Sequence, residues 1–188
     1  MLKLLRKWLG KKDAGVVKNE DGVVAIEFAL VAVPFFTLVL GIIEVGLFFT
    51  SGSVLQSASV DAARMIRTGQ VQASGDQAEE VFKNELCYRI DYMLKCDKVQ
   101  YEVIHIASNT FGTVEDYEPQ FTEDGELIPQ GFSTGDENDV VLVRSYYKWE
   151  FLTPFLGAMM TGSVDKGWLP QMSTVAIKSE PYDPDEED

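Results

Sequence analysis

Glu27 stands five residues after Gly22, in the first turns of an apolar run that extends to Thr50. Beyond Glu27, the run is interrupted only by Pro34, Glu44 and two glycines. An acid inside a membrane helix costs roughly 2.5–3.5 kcal/mol at the helix centre on insertion scales, so a sequence that keeps one there has a use for it. The chemistry open to such a carboxylate is to hold a cation at its own depth. A second pair of residues, Cys87 and Cys96, can form a disulfide. The other reactive types are sparse. The chain has one histidine, His105, no Gly-rich phosphate loop and no nucleophile elbow. Two thiols and one imidazole are too few for a closed zinc site. His105 lies in a strand-like run and reads as a packing or surface residue. No catalytic residue, metal ligand or cofactor-binding residue is expected, and the chain reads as not an enzyme.

The element that carries Glu27 is a helix. Val23 to Thr50 is 28 residues, about 42 Å at roughly 1.5 Å per residue. A bilayer core needs only about 20 residues, so the helix can span a membrane and still project from it. It is longer than the apolar region of a secretory signal peptide, and no small-residue cleavage site follows it. Hydropathy alone fits a plain signal anchor equally well. Lys3, Arg6, Lys7, Lys11, Lys12 and Lys18 precede the run, and the first basic residues after it are Arg64 and Arg67. The positive-inside rule then keeps the amino terminus in the cytoplasm. Leu2, Leu5, Trp8 and Leu9 fall on one helical face among the lysines. That face suits anionic lipid, and a solvated leader fits as well.

Charge divides the chain in the same place. Its 188 residues carry a net charge of −14, yet residues 51–188 alone hold 25 acids and 10 bases. Phosphates would be repelled, which argues against nucleic acid as a partner. The length suits one domain with a modest core. Cys87 and Cys96 both fall on the outer side, where an even count favours a disulfide. Nine residues along one helix would separate them by about 13 Å, whereas a disulfide needs Cα atoms within about 7 Å. The bonded chain must therefore turn between them, near Asp91 to Lys95. The loop-entropy relation gives such a bond roughly 2.7 kcal/mol.

Periodicity supplies the remaining elements. Leu55, Ala58, Ala62, Met65 and Ile66 recur at helical spacing after Ser51-Gly52-Ser53, with Gly69 as the stop. A further helix is expected from Gly75 or Asp76 to Ile90, with Ala78, Val81, Phe82, Leu86 and Ile90 inward. Asp76 is read as its N-cap and Glu79 as the capping-box partner. Lys98 to Ala107 alternates as a strand, with Val99, Tyr101 and Val103 opposed to Gln100 and Glu102. Asp139 to Phe151 is a second strand and Ser173 to Ser179 a third, shorter one. Asn109 to Asn138, which has no Lys or Arg, reads as an exposed loop or a small flap; its acids match no EF-hand pattern. Thr153 to Leu169 is apolar and could pack on the sheet, lie against the bilayer or meet a partner. The fold class is α+β: a long amino-terminal transmembrane helix, then a small domain with a second helix and a short antiparallel sheet. The organisation is a basic cytoplasmic leader (1–22), a transmembrane helix (23–50), an extracytoplasmic domain (51–180) and an acidic tail (181–188) whose composition is that of a disordered segment.

Glycine, four apolar residues and Glu-Phe, as in Gly22 to Phe28, resembles the processing site of type IV pilins, and especially of Flp and TadE-like pseudopilins. Gly41-Ile42-Ile43-Glu44 resembles the TadE-like family's second acidic position. Ala62-Ala63-Arg64 through Arg67-Thr68-Gly69-Gln70 resembles its juxtamembrane segment, and Ala176-Ile177-Lys178-Ser179-Glu180-Pro181-Tyr182 its closing strand. The middle, about Ser108 to Asn138, departs from the pattern. The resemblance implies a minor pseudopilin-like subunit of the tight-adherence system, acting in assembly of a Flp-type pilus. It also implies cleavage by a prepilin peptidase between Gly22 and Val23. The location implied is the bacterial inner membrane, with the amino terminus cytoplasmic and the carboxy-terminal domain periplasmic. The partners implied are the prepilin peptidase, the major Flp pilin and other pseudopilins, with no small-molecule substrate and no cofactor. The alternative is an unprocessed single-pass scaffold or recruitment protein with an extracytoplasmic binding domain.

Cleavage would leave an ammonium on Val23 at the depth of Glu27, and Glu27 of one subunit could offset the amine of a neighbour, fixing register more than affinity. Snorkelling of Glu27 within its own chain is the other reading. Glu44, about 32 Å along the helix from Val23, is expected to snorkel at the outer interface, so its loss should be mild. Pro34 removes one backbone donor and suits a kink beside Leu30. Intact-mass measurement of protein from its own membrane should find a chain that begins at Val23, and replacing Gly22 by a bulky residue should trap the precursor. Recovery of full-length chain alone from cells with an active prepilin peptidase would contradict the pseudopilin reading.

Overall fold

The computed structural model describes residues 22–162 and 167–181. The leader up to Asp21, Tyr182 of the closing stretch and the rest of the acidic tail lie outside the described residues. The apolar run opens α1, a single helix over Val23–Arg67. Pro34 lies inside it without ending it. Beside the proline, the Thr37 hydroxyl donates to the Val33 carbonyl at 2.8 Å. Ser51-Gly52-Ser53 does not interrupt the helix either. Ser51 and Ser53 donate back to the carbonyls of Phe48 and Phe49, which satisfies the hydroxyls without leaving helical geometry.

Contacts divide the chain into residues up to Ile43 and residues from Glu44 onward. In the first unit the helix exposes Val24, Phe28, Leu30, Val33 and Leu38. Apolar side chains all round a helix suit lipid as the solvent, and the segment is long and apolar enough to cross a membrane. In the second unit α1 becomes one-sided. Ser51, Leu55, Ala58, Ser59, Ala62, Ala63 and Ile66 are buried, and most of them are small. Gly69, at φ 76°, stops the helix in the left-handed region, where glycine carries no Cβ penalty.

The chain returns through a short helix, α2 (Gln70–Ala73), a 3₁₀ turn at Gly75–Gln77 and α3 (Ala78–Ile90). α3 buries Phe82, Leu86 and Ile90, one face at four-residue spacing. The expected Asp76 cap is absent: Gln77 holds the N-cap position of α3 with no side-chain cap. The 3₁₀ turn takes up the residues before the helix, and the Glu79 carboxylate instead accepts from the Tyr101 hydroxyl at 3.1 Å. α3 ends in a tight turn, with the Leu94 amide donating to the Ile90 carbonyl. That turn brings Cys87 and Cys96 together as a disulfide with Cα atoms 5.3 Å apart.

Three antiparallel strands form the sheet, in the order β1 (Val99–His105), β4 (Val140–Glu150), β5 (Trp168–Lys178). β5 is longer than the expected Ser173 start, because Trp168 to Met172 pair with Glu150 to Tyr146 despite Pro170; an edge strand tolerates the missing donor. One face of the sheet (Val103, Val141, Val143, Tyr147) packs with α1 and α3 in the main core. Each large apolar side chain buried there contributes roughly 1.5–3 kcal/mol. Phe82 adds ring contacts to Tyr101 at 5.4 Å and to Phe132 at 5.6 Å.

The opposite face is covered too. Residues 109–138 form a flap containing a 3₁₀ segment (Phe111–Asp116) and a small hairpin, β2 (Gln120–Phe121) with β3 (Leu127–Ile128). This explains why β4 is buried from Val140 to Tyr147 rather than alternating, the pattern of a strand covered on both sides. It also overturns the outward placement of Glu102, which is 0% exposed. Glu102 and Arg144 are register partners on β1 and β4, and their side chains form an ion pair beneath the flap. The pair also holds the flap down. The Gln130 amide donates to Glu102 at 2.9 Å, and the Arg144 guanidinium donates to the Tyr117 carbonyl at 2.7 Å. Removing one member of a buried pair typically costs about 3–5 kcal/mol, whereas an apolar replacement of both is often neutral. Arg144→Met should therefore lower unfolding stability by about that much in chemical denaturation. The Glu102→Met/Arg144→Met double variant should recover most of the loss.

Candidate functional site

Gly22, Val23, Glu27 and Pro34 fall in the first unit, and Glu44 in the second. Gly22 sits at the start of α1, where a Cβ would meet nothing within 4 Å, and it is not among the positive-φ glycines. The local fold makes no demand for glycine there. Glu27 is exposed, and among the described residues nothing pairs with its carboxylate. Val23 precedes it by four residues on the same helix, so an ammonium on Val23 would lie about one turn away, about 6 Å along the axis. The Glu27 carboxylate is thus exposed one turn from Val23.

Glu44 behaves otherwise, and the snorkelling expectation fails. Its side chain is buried, at 4% exposure. The carboxylate accepts from the backbone amides of Leu152 and Thr153. Those amides lie at the start of α4 (Pro154–Thr161), whose N-cap is Thr153 and whose first residue is a proline. Proline at that position supplies no N–H, and Glu44 satisfies the two donors just before it. A carboxylate there also suits the positive end of a helix dipole. Water is replaced by backbone donors, so this acid fastens a loop to α1.

Further polar ties run down the same side of α1. The Gln171 amide donates to the Phe48 carbonyl at 2.6 Å and contacts the Ser51 hydroxyl at 2.8 Å. Ser173 donates to Gln56 at 2.8 Å. Arg67 pairs with Glu180 at 2.6 Å, and the Glu180 amide donates to the Arg67 carbonyl. The exposed ion pair alone adds little stability, but the backbone bond fixes where β5 ends.

His105 lines a polar cleft of about 570 Å³ with Asp76, Glu79, Ser133, Thr134, Asp136 and Asp139. Its Nε2 is 3.1 Å from Asp139 Oδ2. The Asp136 amide and the Asn109 side-chain amide donate to the Asp139 carboxylate and hold its pKa below the ordinary value. Burial, then the bond to Glu79, pushes the Tyr101 phenol up to about 12. No cluster of three or more metal-ligating side chains occurs among the described residues.

Sequence reading did not find the partners of Glu44, the Glu102–Arg144 pair, or Gln171 and Ser173. The one available signal was the polar register on the inward side of β5, since Gln171 and Ser173 alternate with exposed Met172 and Thr174. Glu44→Ala should leave the Leu152 and Thr153 amides without an acceptor, a loss of about 1–3 kcal/mol. Detergent-solubilised protein should show it as a lower denaturation midpoint and earlier proteolysis at residues 152–162. Glu44→Gln, which keeps an acceptor oxygen, should lose less.

Neither a curated protein nor a solved structure matches this chain. One family model does, that of the TadE-like proteins, over residues 22–64, a stretch that holds Gly22, Glu27, Glu44 and Ala62 to Arg64. Residues 22–64 are thus similar to the TadE-like proteins, and Arg67 to Gln70 and the stretch 176–182 lie outside the match.

Proposed function

We propose that this chain is a minor pseudopilin-like subunit acting in assembly of a Flp, or tight-adherence, type IV pilus. A TadE-like segment implies a protein associated with that pilus system. One long apolar amino-terminal helix is consistent with a single-pass membrane protein. The finer reading is that residues 23–50 hold the subunit in the inner membrane, with residues 51–180 in the periplasm and the basic leader in the cytoplasm. Prepilin peptidase removes the leader after Gly22. The subunit then meets the major Flp pilin and other pseudopilins through α1. It is a structural or priming component and catalyses no reaction.

The observation that carries the proposal is the family match beginning at Gly22 and including Glu27 at its five-residue spacing. Two features of the helix support it. Glycine is not needed at position 22 for the fold, so its side-chain-free surface is available to a peptidase. Glu27 is unpaired among the described residues, which leaves its carboxylate for the ammonium of a neighbouring subunit.

Glu27→Ala should leave membrane insertion and processing intact, because it makes the run more apolar. Surface pili should fall sharply, since an intramembrane ammonium left without its partner typically costs about 3–5 kcal/mol. The measurement is a count of pili in a strain lacking the native protein, with variant and parent expressed at equal level. Normal piliation by Glu27→Ala would remove the assembly role given to this residue. An unprocessed, membrane-inserted chain whose loss leaves piliation unchanged would favour the scaffold alternative.

A further inference from the structure

The chain from Phe151 to Val164 contains no charged residue, within a region whose net charge is strongly negative. It includes α4, and it exposes Leu152 (84%), Met159 (66%) and Met160 (40%). An apolar helix open to water on a soluble domain is a liability unless something covers it. Three observations indicate what does. Glu44 holds the start of α4 by two backbone bonds, and Glu44 belongs to the last two turns of the apolar run that ends at Thr50. α4 is therefore fastened at the level where the run finishes. At that level stand Phe48, Phe49, Trp149 and Phe151, with Phe48 stacked on Phe151 at 5.8 Å and meeting Trp149 at 6.3 Å. Tryptophan is enriched where hydrocarbon gives way to headgroups, and Trp149 stands among these rings. The third observation is charge. An acidic domain is repelled by an anionic lipid surface, and this uncharged stretch can approach one without that penalty.

We propose that α4 is an interfacial helix, seated in the headgroup–acyl boundary of the membrane that α1 crosses, with Leu152, Met159 and Met160 inserted among the lipids. The inference rests on the reading of residues 23–50 as a membrane span. The short helix lies in the boundary and does not cross it, in the manner of other surface-seated helices. Unbranched methionine side chains adapt to an irregular surroundings of acyl chains as they do to irregular cores. Seating α4 fixes the rotation of α1 about its own axis, because Glu44 ties the two helices at one point of the helix circumference.

The test uses the full-length, disulfide-intact protein in vesicles of phosphatidylcholine and phosphatidylglycerol. Cys87 and Cys96 are bonded to each other, so a single introduced cysteine accepts an environment-sensitive fluorophore. Met159→Cys reports on α4, Phe36→Cys on the middle of the span, and Thr174→Cys on an exposed position of β5. The Met159 probe should emit to the blue of the Thr174 probe, lose most of its intensity to lipids spin-labelled near the headgroup, and resist aqueous iodide. The Phe36 probe should respond to lipids labelled deep in the chain. A Met159 probe quenched by iodide as readily as the Thr174 probe overturns the proposal. So does one shielded from both iodide and spin-labelled lipid, which would mean that a second copy or another protein covers α4. If the Phe36 probe is itself quenched by iodide and untouched by lipid, the membrane span fails, and this inference falls with it.

Discussion

The domain depends on the seam between α1 and its sheet from Ser51 to Ile66. Eight of the positions there are Ser, Gly or Ala (51, 52, 53, 57, 58, 59, 62 and 63), and the inward side of β5 answers with Gln171 and Ser173 before Val175 and Ile177. In this seam a polar side chain reaches the helix backbone, as Gln171 reaches the Phe48 carbonyl. Dispersion weakens steeply with separation, so a gap of even 1 Å would forfeit much of the contact. The same helix has a different environment before Glu44, where nothing small is required and the side chains are large and apolar all round. One continuous element therefore obeys two packing rules, and the change falls at the residue whose carboxylate is withdrawn from solvent.

Much of this could be read from the chain, and the reason is that it rests on local pattern. The apolar run, the inward face of α3 at Phe82, Leu86 and Ile90, the turn demanded by Cys87 and Cys96, and the stop at Gly69 each follow from spacing within about a dozen residues. The α+β class follows from their sum. The parts that escaped depend on contacts between distant residues. Glu102 looks like an outward strand residue until Arg144, 42 positions away, is brought opposite by the β1–β4 register and the flap closes over both. Glu44 looks like an interfacial acid until amides 108 and 109 positions away reach it. Asp76 was misread for a smaller reason: a 3₁₀ turn took the residues that a capped α-helix would have used.

The flap lies outside the residues that the family model matches. Its backbone is anchored by the buried pair, by Gln100, Tyr146 and Lys148, which meet the Leu127 amide and the Gly125 and Asp124 carbonyls, and at the edge of β1, where the Ser133 amide donates to the Val103 carbonyl and the Val103 amide to the Gly131 carbonyl. A segment held by directional polar contacts over an apolar layer (Ile104, Ile106, Val140, Leu142) keeps its position while its outer surface stays free to vary. Acidic residues with no balancing Lys or Arg are tolerated there because the side chains that fix the flap point inward and those that carry charge point out.

The ties between α1 and β5 have a mechanical consequence. Ser51 meets Gln171, Gln56 meets Ser173 and Arg67 meets Glu180, so helix and strand run in the same sense and the contacts succeed one another along both. A pull on the helix along its axis loads these contacts in shear, together, instead of peeling them one after another. Force delivered to the amino-terminal part of the helix is carried into the domain over a length of about 24 Å, from Ser51 to Arg67. A load along the helix axis would move the domain as a folded unit, whereas a sideways load on β5 alone would meet each tie singly.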